Sequence, residues 1–93
     1  MQVQVTFRHM KTDTDLQTAA HEAAVGFEKY YDNITSCNIV FNNDAEKEVE
    51  MTVHVNGTTL VVKDYTIDFH KSLYEATDKM VRQIVKWKEK NHS

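Results

Sequence analysis

The chain has 93 residues and a net charge of −3, with 27% charged residues, no proline, two glycines and one cysteine. That is enough for one hydrophobic core and not two, so a single domain over residues 1–93 is expected, and its charge excludes whole-molecule attraction to nucleic acid. No run approaches the roughly 20 apolar residues of a membrane span, and a lone cysteine excludes an internal disulfide, which together point to a soluble, reduced, cytosolic protein.

The opening MQVQVTFRHMK alternates apolar and polar residues, so Val3, Val5 and Phe7 share one face of a first strand and no secretory leader is read here. Asp13 is placed to cap a helix predicted over Thr14–Tyr31, with Asp15 at the positive end of its dipole. Leu16, Ala19, Ala20, Ala23, Phe27 and Tyr30 or Tyr31 fall on its buried side, Gly26 weakens its last turns by about 1 kcal/mol relative to Ala, and Asp32-Asn33 ends it. Cys37, Ile39 and Phe41 alternate in a second strand. Asn42 to Lys47 reads as a polar, mobile turn, and Val49, Met51, Val53 and Val55 form a third strand. Asn56-Gly57 is the signal for a two-residue type I′ hairpin. Folding about it pairs Val53 with Leu60 and Met51 with Val62 on one face and sets Glu50 opposite Lys63 on the other. Asp68 then caps a final helix that reaches Lys90.

The order β-α-β-β-β-α predicts an α+β fold. It is a two-layer sandwich with a four-stranded mixed sheet, both helices on its apolar face and the first two strands parallel. Thr52, His54, Val61 and Lys63 belong to the open polar face.

Charge is concentrated on the last helix. From Phe69 to Lys90 there are six basic and three acidic residues, a balance of +3, whereas Met1 to Asp68 has five basic and eleven acidic, a balance of −6. Leu73, Ala76, Met80, Ile84 and Trp87 make an apolar stripe. Lys79, Arg82, Lys86 and Lys90 recur at the same steps on a different face, with no Glu between Lys79 and Lys88 to neutralise them. A lysine-rich face is often only a solvated surface. This one suits phosphate contacts, with Lys as a point charge and Arg as a bidentate donor. Lys71 and His70, in the first turn, are further candidates for a phosphate.

Other chemistry finds little footing. His9, His21, His54, His70 and His92 are scattered with no H-x-x-x-H or C-x-x-C spacing, so no metal site is predicted. Cys37 begins an apolar strand face and reads as a core residue rather than a nucleophile. There is no G-x-S-x-G, no glycine-rich phosphate loop and no distinctive carboxylate pair, so no cofactor and no enzymatic activity are expected. Tyr30, Tyr31, Tyr65, Tyr74 and Phe69 offer rings on which unpaired bases can stack, packing at the core rim being the commoner use of such residues.

His54-Val55-Asn56-Gly57, Asp68 and the run Asp78 to Lys90, DKMVRQIVKWKEK, resemble the short ribosome hibernation promoting factors of the sigma-factor modulation family, whose last helix typically reads D-K-L-x-R-Q-L-x-K-x-K-x-K. The opening MQVQVT and Phe27 to Ile34, FEKYYDNI, fit the family's L-E-x-Y-F-D-x-I. The resemblance covers essentially the whole chain. It implies a fold similar to double-stranded RNA-binding domains and a non-catalytic protein in the messenger and transfer RNA channel of the small ribosomal subunit, blocking initiation and preserving idle ribosomes. Lys79, Arg82, Lys86, Lys88 and Lys90 would be its ribosomal-RNA contacts, with no membrane or small-molecule partner. Lacking the dimerisation domain of long members, it would need a second hibernation factor to pair ribosomes.

Two departures stand out. The family's D-M-Y-x-A-I-D at the start of the last helix is Asp68 to Tyr74 here, with His70 for the usual Tyr and Tyr74 for the usual second Asp. The first helix, basic in many members, has Gln17, Ala23 and Gly26 at corresponding places, leaving His21 and Lys29. The alternative expectation is a diverged member that binds another protein through its open sheet face, around His54 and Val61.

Overall fold

The computed structural model describes residues 1–91. His92 therefore lies outside the described residues. Six elements follow in chain order: β1 (Gln2–Arg8), α1 (Thr14–Phe27), β2 (Ile34–Asn43), β3 (Lys47–Val55), β4 (Thr58–Thr66) and α2 (Phe69–Asn91). The sheet order is β1-β2-β3-β4, with β1 parallel to β2 and the remaining pairs antiparallel. A parallel neighbour cannot be reached by a tight turn, so the chain crosses over through α1. Strand alternation sends Cys37, Ile39, Phe41, Val49, Met51, Val53 and Val55 to one face, where all are buried against the helices. α1 lies on β1 and α2 on β3 and β4. The expected two-layer sandwich is the observed one.

The hairpin follows its sequence signal. Asn56 and Gly57 have φ of 42° and 80°, the left-handed pair a type I′ turn needs, and the register sets Met51 on Val62, Val53 on Leu60 and Glu50 on Lys63.

Three boundaries differ from expectation. α1 stops at Phe27 rather than Tyr31, because Glu28, Lys29 and Tyr30 donate to carbonyls three residues back, at 3.2, 3.2 and 3.0 Å, and tighten the chain into a turn. Its buried stripe is Leu16, Ala20, Ala24 and Phe27, so Ala24 takes the place expected of Ala23. β2 begins at Ile34, three residues early. The register slips at Thr35, whose hydroxyl donates to the His54 carbonyl at 2.9 Å, and this bulge lets both Ile34 and Cys37 face the core despite their odd spacing. The Asn42–Lys47 loop shrinks to residues 44–46, because Asn42 pairs with Glu48 and Asn43 with Lys47.

One buried polar side chain joins the layers. Ser72, in the first turn of α2, donates to the Lys47 carbonyl at 2.6 Å and lies 2.8 Å from the Thr66 hydroxyl, which ties α2 to the start of β3 and the end of β4.

Candidate nucleic-acid interface

The rotation of α2 is set at its start and along its buried stripe. Asp68 caps it, its carboxylate accepting from the His70 amide at 2.9 Å and its carbonyl from the Ser72 amide at 2.9 Å. Leu73, Ala76, Met80 and Ile84 are then buried, and Trp87 meets Tyr31 edge to face at 5.0 Å. With that stripe fixed, Lys71, Lys79, Arg82, Lys86, Lys88 and Lys90 are all exposed.

The six cations do not form one row. At 100° per residue, Lys79, Arg82, Lys86 and Lys90 lie on the flank toward β4, with Lys71 at its border, whereas His70 and Lys88 lie on the flank toward α1. Accordingly Lys79 and Arg82 line a hollow beside Val62 and Lys63 of β4, while His70 lines the groove between the helices and Lys88 a second hollow beside Tyr30. Lys88 donates to the Tyr30 carbonyl at 3.3 Å, closing the end of α2 onto the turn after α1.

Nor are all of them free. Lys79 sits 3.0 Å from the Asp64 carboxylate and 3.1 Å from the Lys63 carbonyl, and Arg82 pairs with Asp78 one turn back. Sequence reasoning looked for neutralising acids only within the stripe and so missed Asp64. Strand alternation held the signal: Asp64 follows Leu60 and Val62 on the helix-facing side of β4, an acid among apolar residues. Lys71, Lys86 and Lys90 have no carboxylate within 4.0 Å among the described residues.

The opposite face of the sheet pairs its own charges. Lys63 lies 3.8 Å from Glu48 and 3.9 Å from Glu50, so its charge is spent there, and Val61 and Tyr65 stand exposed beside it. The acids that offset α2 lie mainly on α1, its flanks and the loops, among them Asp13, Asp15, Glu22, Glu28, Asp32, Asp44 and Glu46.

The remaining candidates have structural surroundings. His9 turns its ring to the Asn42 side-chain oxygen at 2.9 Å, and His54 to the Thr59 hydroxyl at 3.1 Å. Among the described residues no three His, Cys, Asp or Glu side chains converge to hold a metal ion. Cys37 is fully buried, and desolvation pushes its thiol up to about 12, the reverse of an activated nucleophile. Nor is any helix, among the described residues, long and apolar enough to cross a membrane.

Comparison with known proteins agrees with this architecture. Residues 3–92 match the family described as Sigma 54 modulation protein / S30EA ribosomal protein. A ribosome hibernation promoting factor of Azotobacter vinelandii is 29% identical over 91 residues, spanning 97% of this chain and 85% of that protein. One from Pseudomonas putida is 27% identical over 94 residues, spanning 100% and 92%. Among solved structures, the N-terminal domain of Thermus thermophilus Protein Y superposes with a TM-score of 0.85 at 15% identity, covering 94% of this chain and 99% of that one. A ribosomal subunit interface protein from Coxiella burnetii gives 0.84 at 20% identity, covering 96% and 99%. At such identities the two structures establish the shared fold.

Proposed function

The chain belongs to the Sigma 54 modulation protein / S30EA ribosomal protein family, and from that premise we propose that it is a ribosome hibernation factor. It binds the small ribosomal subunit in the channel for messenger and transfer RNA and acts by occupancy rather than catalysis. α2 supplies the grip, through Lys71, Arg82, Lys86 and Lys90, with Lys79, Lys88 and His70 at its margins. The observation that carries this reading is the row of open cations on α2 in a chain that is otherwise acidic. Each phosphate such a row neutralises releases condensed counterions, so the contact is strong at low salt and falls away steeply as salt rises.

Co-sedimentation of the purified protein with small subunits across a salt series tests this. Saturable binding at low salt that collapses at moderate salt is the expected result. A folded sample that stays in the supernatant at low salt would refute it.

A second reading rests on the exposed Val61 and Tyr65 of the open sheet face, each 53% accessible. On that reading the chain docks another protein there, binding depends weakly on salt, and changing His54 or Val61 abolishes it.

A further inference from the structure

The flank of α2 that faces α1 has a character unlike that of the cationic row. A groove of about 520 Å³ opens between the helices, and a second hollow continues it past Tyr30, which lines both. It stays open because the apolar residues α1 contributes there are Ala19 and Ala23, side chains too short to fill the space, with Glu22 beside them. Leu73 and Val81 supply the apolar wall from α2. Tyr74 also lines it and is 77% exposed. The polar groups along it are the Glu22 and Asp78 carboxylates, the Thr77 hydroxyl and the His70 ring. Cations stand outside this stretch: Lys29 and Lys88 line the continuation and outnumber its one carboxylate, Glu89, and Lys71 lies three residues before Tyr74 on α2.

Resting on the ribosome-binding reading, we infer that this groove receives one unpaired nucleobase of the bound RNA, stacked on Tyr74. A free aromatic ring offers a face to any base. The two carboxylates repel a phosphate, yet accept hydrogen bonds from ring N–H and exocyclic amino groups, so the occupant is a base and not the backbone. Adenine, guanine and cytosine, which carry an amino group, are favoured over uracil, whose single ring N–H lies between two carbonyls that a carboxylate repels; Glu22 is the acceptor, since Asp78 is already engaged by Arg82. Lys71 on one side and Lys29 and Lys88 on the other take the flanking phosphates. An apolar protein segment fits less well, because it would strip water from Glu22 and Asp78 without offering them donors.

The test uses a short single-stranded RNA containing one 2-aminopurine, whose fluorescence falls when it stacks. The whole protein is expected to quench it, Tyr74→Phe to do so equally, and Tyr74→Ala to abolish the quenching and weaken binding about tenfold. Glu22→Gln should narrow the preference over a uracil-bearing competitor. Tyr74 is exposed, so Tyr74→Ala keeps the fold, which a thermal melt verifies. A photoreactive p-benzoylphenylalanine in place of Tyr74, irradiated on small subunits, should cross-link to RNA. Absence of quenching by the whole protein, or adducts only with ribosomal protein, would overturn the assignment. Quenching by a protein that fails to co-sediment would sink the ribosome reading while leaving the base site in place. Undiminished subunit binding by Tyr74→Ala would do the reverse.

Discussion

The Lys79 ammonium lies 3.0 Å from the Asp64 carboxylate, an acid whose side chain is only 11% exposed. The pair joins α2 to the outer edge of β4, and a second bond from Lys79 to the Lys63 carbonyl reinforces it. Lys79 is therefore more a structural clamp than a free phosphate ligand. Replacing it with Met should leave a nearly enclosed carboxylate without its donor, at a cost of about 1–2 kcal/mol. For a domain of this size that is a fall in Tm of roughly 5–15 °C. A loss of small-subunit affinity as large as that of an open lysine, with an unchanged melt, would refute the clamp.

Lys86 and Lys90 should behave in the opposite way. Neither has a described carboxylate partner, so Lys86→Gln with Lys90→Gln should leave the melt unchanged. It should also flatten the plot of log affinity against log salt by about 1.5, at 0.7–0.9 per phosphate contact. The charge reversals Arg82→Glu and Lys86→Glu together should weaken binding further without unfolding the domain. Wild-type co-sedimentation by either folded double variant would remove α2 from the account.

Ser72 is the polar tether under α2. Its hydroxyl is buried and satisfies the Lys47 carbonyl at 2.6 Å. Ser72→Ala should cost about 1–2 kcal/mol in urea unfolding by leaving that acceptor without a partner. Hydrogen exchange should quicken first in the opening turn of α2. A neutral result would mean that water replaces the hydroxyl.

Cys37 predicts an alkaline weakness. Burial raises its thiol from 9.0 to about 12, so above pH 9 the unfolded chain releases a proton that the folded chain keeps. The folded state binds more protons in that window, and stability accordingly falls as pH rises from 9.0 toward 12, whereas below 9 the thiol contributes no slope. Urea midpoints measured from pH 8 to 10.5 should decline more steeply for the native chain than for Cys37→Ala. Parallel curves would show that the thiol does not control this limb.

Much of the fold was legible because local signals agreed with one another. Asn56-Gly57 and the alternation on either side of it specify one register for both faces of the hairpin, and the structure has that register. The end of α1 was only partly legible: Gly26 weakens the last turns, but FEKYYD continues a helical pattern, and the docking of Tyr31 on Trp87, a contact with a distant element, accompanies the turn. The bulge at Thr35 was hidden for a similar reason, since period-two reasoning cannot place Ile34 and Cys37 on one side. In the candidate interface, periodicity placed the cations on the surface of α2. Which of them are engaged depends on Asp64, an acid from another strand. The groove escaped notice because small residues in α1 read as close packing, and here they leave space.

The parallel pairing of β1 with β2 also bears on how the chain folds. Val3 meets Cys37 only after the whole of α1 has been laid down between them, whereas β3 and β4 close over two residues and α2 follows directly. Loop closure of that length is slow, so β2, β3, β4 and α2 are expected to form first and β1 with α1 to complete the edge last. The same order sets which part lets go first. β1 has a neighbour on one side only, and the N-terminal third is the unit that should detach as one piece below the global unfolding threshold, leaving the helix that bears the cations still seated on its hairpin.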